Sequence, residues 1–185
     1  IVSPANPNLK WEQSRITNIG IDYAFLNNRL RGSLDFYNKV GKDIFSNMTL
    51  DPTTGFSSMF VNMASMRNRG IELQLTYDWF RAKSRKDWAW TTNFTFSHNS
   101  NKVTSVENPS TRAYQLVSNP YVEGYPSSAL WSYRFAGISD QEGEKGQTLW
   151  YVEDGNKKHD ATGSSVDIME YSGQSEPKVI IGMDN

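Results

Sequence analysis

The 185-residue sequence contains no cysteine, which excludes disulfide bonds, thiolate metal sites and cysteine nucleophiles. Long apolar runs are also missing. Mean hydropathy is −0.62, and no stretch approaches the roughly eighteen residues that a membrane-spanning helix needs. Basic and acidic residues nearly balance, with Lys+Arg 19 against Asp+Glu 20. The resulting net charge of −1 gives no electrostatic reason to expect a nucleic-acid partner.

Residues suited to catalysis or metal binding are scarce. The two histidines, His98 and His159, lie at a strand end and in a polar loop, so we interpret both as solvated surface. Asp140, Glu142 and Glu144 alternate as in a calcium loop, but the glycine and the closing glutamate are out of register. We therefore expect a hydrated loop there, with weak cation binding as the alternative. The sequence predicts no metal, no cofactor and no catalytic residues.

Alternating apolar and polar residues predict an all-β protein. The pattern is strict over residues 16–25, 30–37, 70–79 and 88–97, and a short apolar stretch at 179–183 indicates another strand. Shorter strands are expected at 130–136 and 147–152. The paired asparagines Asn27 and Asn28 suit the positive-φ positions of a tight hairpin between the first two strands.

The predicted connections alternate between short turns and long loops. Residues 26–29 and 81–87 form short turns, whereas a polar stretch over 46–65 and an acidic stretch over 140–176 predict long loops. Met59, Met63 and Met66 fall at helical spacing and suggest one helical turn in the first long loop. Short turns at one end of a sheet and long loops at the other are typical of outer-membrane barrels.

The placement of rings and charges favours a barrel over a soluble sandwich. Five rings lie where strands meet the short turns, as in an interfacial girdle: Phe25, Trp79, Phe80, Trp88 and Trp90. Four charged residues share the polar strand face, where a water-filled lumen would remove their desolvation cost: Arg31, Asp35, Glu72 and Asp78. A soluble β-sandwich that binds carbohydrate remains the alternative. A glycosidase using Glu72 and Asp78 is a weaker third interpretation.

Several motifs occur in one order along the chain. They are residues 6–12 (NPNLKWE), 17–23 (TNIGIDY), 25–30 (FLNNRL), 32–37 (GSLDFY), 68–72 (NRGIE), 93–97 (NFTFS), 101–103 (NKV), 123–126 (EGYP), 135–138 (FAGI) and 175–178 (SEPK). This series resembles the motifs of SusC/RagA-type TonB-dependent outer-membrane transporters. Residues 141–173 match that family least.

The resemblance implies antiparallel up-and-down strands forming part of a large transmembrane β-barrel of about twenty-two strands. Residues 1–185 would be an incomplete C-terminal portion of that barrel, without the plug domain. Such transporters lie in the Gram-negative outer membrane of Bacteroidota, with outer-membrane lipid as a partner of the apolar strand faces. They import oligosaccharides or peptides with energy from TonB, which acts through parts not in this chain, and they work with a SusD-like surface lipoprotein.

A group of rings follows the fourth predicted strand and is the one candidate for substrate binding. Tyr125, Trp131 and Tyr133, with Tyr121 nearby, lie in the second long loop. Aromatic rings can stack on sugar faces, but loop packing or a second interfacial girdle explains them equally well. We expect any cargo contact in this chain to involve Tyr125, Trp131 and Tyr133.

Overall fold

The computed structural model describes residues 4–82, 84, 87–107, 109–111, 113–152, 155–159, 164 and 166–185. Five strands form the main sheet in the order β1-β2-β3-β4-β10. They are β1 (Gln13–Phe25), β2 (Leu30–Thr49), β3 (Ser58–Phe80), β4 (Trp90–Val106) and β10 (Val179–Asp184). All-β antiparallel architecture is therefore confirmed, in an open sheet.

The first hairpin is in the predicted register. Strands β1 and β2 pair antiparallel from Gln13 opposite Lys42 to Phe25 opposite Leu30. In the turn, Asn27 and Asn28 have φ of 54° and 61°, as predicted, and Leu26 shares this left-handed conformation. The Arg29 amide closes the turn by donating to the Leu26 carbonyl at 3.2 Å.

The prediction of a long loop over 46–65 is wrong. Strand β2 continues to Thr49 and β3 already begins at Ser58, so the connection covers only residues 50–57. It contains a short 3-10 turn at Pro52–Thr54. The methionines expected in a helical turn lie in β3 instead, where Met59 and Met63 pack into an apolar cluster.

A buried amide explains why this polar stretch is extended. The Asn62 side chain is buried, and its oxygen accepts from the Lys10 amide at 2.8 Å. Its nitrogen donates to the Lys10 carbonyl at 3.0 Å and to the Asp43 carbonyl at 2.6 Å. Because buried polar groups need such partners, the polar residue is part of the packing and does not mark a loop.

The second half of the chain adds short elements. They are α1 (Ala113–Ser118), β5 (Ala129–Tyr133), β6 (Phe135–Ile138), β7 (Thr148–Tyr151), β8 (Lys157–Lys158) and β9 (Met169–Gln174). Strands β5 and β9 pair, and β6, β7 and β8 form a separate three-stranded sheet. The acidic stretch 140–176 is thus partly folded and is not one continuous loop.

The chain divides into two compact units, the first comprising residues 1–12, 43–65 and 102–176, and the second 13–42, 66–101 and 177–185. Both apolar clusters lie in the first unit. One comprises Val61, Met63, Ala64 and Val103, and the other Ala113, Leu116 and Met169. Within the described residues, no helix has the length and apolar character needed to cross a membrane.

Candidate functional site

The apolar face of the second unit is exposed. Directly opposed residues of antiparallel strands share a face, so the register places Ile19 with Phe36 and Ile181 with Phe96. We define the apolar face by Ile19, Ile21, Phe25, Leu34, Phe36, Ile71, Leu73, Leu75, Phe94, Phe96, Ile181 and Met183. Ile71 is 37% exposed, and none of these side chains is buried.

The buried residues of the second unit lie on the opposite, polar face. Among those described, they are Gly70, Thr76 and Asp78. Thr76 is 9% exposed and donates to Asn93 Oδ1 at 2.9 Å. The buried side chains of this unit therefore lie on the polar face, while the aliphatic and aromatic side chains of the other face are unburied. This is the reverse of a soluble sandwich, whose apolar face packs inward.

Asp78 is the centre of the polar face near the short turns. Its carboxylate, in a side chain 10% exposed, accepts from Arg31 Nη1 at 2.8 Å and from Arg81 Nε at 2.9 Å. Thr91 Oγ1 donates to the other oxygen at 3.0 Å. Arg81 also donates to the carbonyls of Asn27 and Asn28, so this one carboxylate connects both short turns.

This network weakens the glycosidase interpretation. Both oxygens of Asp78 already accept hydrogen bonds from neighbouring side chains, and two of these donors are arginines, so this carboxylate is held as part of an ion-pair network. Glu72 itself is exposed. Across the part of the chain that the structure describes, no group of three or more His, Asp or Glu side chains could hold a metal ion.

The rings near the short turns form one connected group. Trp79 and Trp90 lie 6.1 Å apart between ring centroids, and Phe80 and Trp88 lie 5.0 Å apart. All four are exposed, as is Phe25 on the neighbouring hairpin. The Trp79 Nε1 group donates to Thr92 Oγ1 at 3.0 Å, so its polar tip is satisfied while its ring is open. We call these five residues the ring belt.

The predicted binding residues divide between two ring clusters in the first unit. Tyr125 and Trp131 are in edge contact at 4.9 Å. Tyr171, which the sequence interpretation missed, joins them at 5.1 Å from Tyr125 and 5.8 Å from Trp131. Tyr133 instead contacts Trp150 at 6.0 Å.

Cross-strand pairing explains the membership of the first cluster. Trp131 lies directly opposite Tyr171 in the β5–β9 pair. The buried side of Trp131 packs against the cluster around Leu116, and its Nε1 group points to the Pro120 carbonyl at 3.4 Å. Tyr125 and Tyr171 are exposed at the margin. Their position allows contact with a ligand, but part of the cluster is ordinary loop core.

His159 is not the solvated histidine that the sequence predicted. Its Nε2 atom lies 2.8 Å from Glu144 Oε2, and its Nδ1 atom lies 2.9 Å from the Thr148 carbonyl oxygen. A carboxylate and a carbonyl can only accept, so both ring nitrogens must carry protons to make both bonds. These bonds join the end of β8 to the turn between β6 and β7. His98 is half-buried within β4, opposite Val179.

Comparison with known proteins gives one consistent result. The family model described as TonB dependent receptor-like, beta-barrel matches residues 1–172. TonB-dependent receptor P39 of Formosa agariphila is 30% identical over 137 residues, covering 74% of this chain and 13% of that protein. TonB-dependent receptor SusC of Bacteroides thetaiotaomicron is 24% identical over 164 residues, covering 82% of this chain and 16% of that protein.

Solved structures that are similar to this chain are consistent with these sequence matches. The RagAB peptide transporter is 26% identical with a TM-score of 0.72, covering 99% of this chain and 20% of that one. The RagAB peptide importer in its closed-closed state is 28% identical with a TM-score of 0.70, over the same shares. The chain therefore spans about a fifth or less of the length of these relatives.

The His159–Glu144 pair should depend on pH. The Glu144 carboxylate and the Thr148 carbonyl raise the pKa of His159 above its ordinary value of 6.5. The protonated ring is thus favoured in the folded state, and its stabilising effect is complete below the ordinary pKa. The effect is lost as pH rises through the raised pKa.

Titration by NMR of the His159 ring, in the full-length protein that contains this chain, checks this prediction. We expect a midpoint above 6.5, and we expect E144Q to lower that midpoint. A matched change at Glu142, which is exposed nearby, should leave the midpoint unchanged. A His159 midpoint at or below the ordinary value would contradict this assignment.

Proposed function

Because this chain belongs to the TonB-dependent receptor-like β-barrel family, matched over residues 1–172, we propose that it forms one sector of the wall of an outer-membrane importer. The transported cargo is an oligosaccharide or a peptide. TonB supplies energy through parts of the protein outside this chain, and a SusD-like surface lipoprotein is the partner. The chain itself carries out no catalysis.

The orientation of the two sheet faces is the observation that supports this proposal most. A large barrel has lipid on its outer face and water on its inner face. The second unit has an exposed apolar face and a polar face with the buried pair Thr76 and Asp78. Water in the lumen hydrates the half-buried carboxylate of Asp35 and the exposed carboxylate of Glu72 on that polar face, so neither needs an ion pair.

The ring belt supports a membrane location independently of the faces. Tryptophan and other amphipathic rings favour the level of the lipid headgroups. In this sheet they gather beside the short turns, which are periplasmic in bacterial barrels. The apolar face would then extend from the belt across the hydrocarbon layer.

The RagAB structures bear on the choice of cargo. SusC is a TonB-dependent receptor of similar sequence, and the RagAB structures are described as a peptide transporter and importer.

The alternative of a soluble β-sandwich module that binds carbohydrate is not favoured, because the described residues of the second unit form a single sheet layer. The proposal therefore keeps both an oligosaccharide and a peptide as cargo classes, and the outer membrane as the single location.

Uptake by cells that express the full-length protein tests the proposed function. Disrupting its gene should lower accumulation of either labelled maltooligosaccharides or labelled tryptic peptides by roughly tenfold or more, and a protonophore should give the same loss. The protein should fractionate with the outer membrane. Recovery in the soluble fraction, or uptake that resists the protonophore, would refute the proposal.

We further propose that Tyr125, Trp131 and Tyr133 lie where cargo contacts the first unit, with Tyr171 completing the cluster. Tyr125 and Tyr171 provide open ring surface with hydroxyl groups at the edge, a combination suited to sugars and to peptides. Trp131 holds these rings in place, and Tyr133 borders the neighbouring pair with Trp150.

Truncating the exposed rings should weaken cargo binding without changing maximal uptake. Ring contacts contribute about 0.5–1.5 kcal/mol each, so Y125A or Y171A should raise the half-saturating cargo concentration roughly two- to tenfold. F135A is the matched control, because Phe135 is an exposed ring in contact with Trp150 outside this cluster. Equal effects of Y171A and F135A would show that the cluster has no special role.

A further inference from the structure

A basic cavity opens on the second unit, away from the ring belt. It has a volume of about 450 Å³ and is lined by Gln13, Ser14, Arg15, Val40, Lys42 and Arg67. Three of these residues are cations and none is acidic. We call Arg15, Lys42 and Arg67 the basic cluster.

The basic cluster lies on the apolar face. Arg15 is opposite Val40, and Lys42 is opposite Gln13. Since side chains alternate between faces along a strand, Arg15 and Lys42 share the face of Ile19 and Ile21. Arg67 lies four residues before Ile71 in β3, so both side chains are on the same face, and Arg67 lines the same cavity. Arg69, which lies between Arg67 and Ile71 in β3, is also on this face, and its Nε group donates to Asn38 Oδ1 at 3.3 Å.

The charges of the strands are divided by face. On the described strands of the second unit, every carboxylate occupies the polar face: Asp22, Asp35, Glu72, Asp78 and Asp184. The apolar face carries the three cations of the basic cluster and Arg69, with no carboxylate. A surface that combines apolar side chains with cations alone is suited to an anion that is attached to an apolar body.

The cations of the basic cluster lack protein counter-ions. None of the three forms an ion pair with another residue in the described part of the chain. The Arg67 Nε atom is buried and has no hydrogen-bond partner. A buried donor without a partner destabilises the folded state. An anion in the cavity would give the Arg67 guanidinium, which lines it, a partner of opposite charge.

The distance from the ring belt places the basic cluster at the opposite membrane surface. From Phe25 to Arg15 the strand rises about 34 Å, at roughly 3.4 Å per residue. Strands of outer-membrane barrels are tilted by about 35–45°, so this length spans about 25 Å along the membrane normal. That distance equals the height of the apolar band of such barrels. In a barrel whose ring belt lies at the periplasmic surface, the cations therefore lie at the level of the lipid headgroups of the outer leaflet.

We propose that the basic cluster binds the phosphate of an anionic lipid in the outer leaflet, with the acyl chains lying along the apolar face. This inference rests on the proposed function, since it needs the sheet to be part of a membrane barrel. Lipid phosphate accepts charge-assisted hydrogen bonds from Arg and Lys. Each cation at a membrane surface contributes about 1 kcal/mol toward anionic lipid.

The test uses the full-length transporter in detergent micelles that contain phosphatidylglycerol or, at the same mole fraction, phosphatidylcholine. Native mass spectrometry counts the lipid molecules retained, and the unfolding temperature is measured in parallel. We expect preferential retention of phosphatidylglycerol and a higher unfolding temperature with it. K42Q should weaken retention about fivefold, and R67K, which keeps the charge, should retain most of the binding.

K39Q is the matched control for this site. Lys39 is on the same strand as Lys42 but shares the polar face with Ile16, so its removal changes the net charge without touching the cavity. K39Q should retain phosphatidylglycerol like the unmodified protein. Equal loss in K39Q and K42Q, or no loss in either, would overturn the proposal.

Inorganic phosphate distinguishes a lipid site from a site for soluble anions. At millimolar concentration it should neither displace phosphatidylglycerol nor raise the unfolding temperature. If it does both, the cavity binds free anions and the lipid assignment is wrong. The outer-membrane fractionation is independent of this result, so loss of lipid preference with the location intact would refute only the lipid site.

Discussion

A sheet with one continuous apolar face and no layer packed on it must meet an apolar medium on that face. The second unit is such a sheet, because Ile71, Leu73 and their neighbours are unburied while Thr76 and Asp78 are buried on the other side. Exposing that many aliphatic and aromatic side chains to water would forfeit roughly 25 cal/mol for each Å² of apolar surface. Hydrocarbon on the outside and water on the inside satisfy both faces.

The same constraint accounts for the distribution of polar groups. Asp78 lies on the polar face and is bound by Arg31, Arg81 and Thr91, so its charge is compensated where hydration is incomplete. On the apolar face, charges appear only beyond the apolar side chains, and they are all positive.

The first unit follows a different rule. It has its own apolar clusters, around Val103 and around Leu116, and packs as ordinary globular structure does. One chain thus uses alternation in two ways. In the second unit it sorts residues between lipid and water, and in the first unit it sorts them between core and surface.

Strict alternation was sufficient to predict β1, the first hairpin, the second half of β3 and the first half of β4. The motifs in residues 6–37 were specific enough to predict the family. Predicting a loop from polar composition was wrong where a polar residue forms hydrogen bonds to partners far away in sequence. Asn62 looked like a loop residue because its partners, Lys10 and the Asp43 carbonyl, are far away in sequence.

The candidate site was predicted only in part for the same reason. Tyr171 joins Tyr125 and Trp131 through the β5–β9 register, which short-range patterns do not contain. The bond between His159 and Glu144 likewise depends on how β8 returns to the turn after β6. Local periodicity specifies the face of a residue, but pairing between distant strands specifies its neighbours.

Accessibility of single spin labels along β3, in the full-length protein reconstituted in lipid bilayers, tests the orientation of the sheet most directly. Labels replacing Ile71 and Leu73 should collide with oxygen, which concentrates in hydrocarbon. Labels replacing Glu72 and Gln74 should collide with a water-soluble nickel chelate. If the labels at 71 and 73 are shielded from both reagents, an additional protein layer covers this face and the account of a lipid-facing wall is wrong.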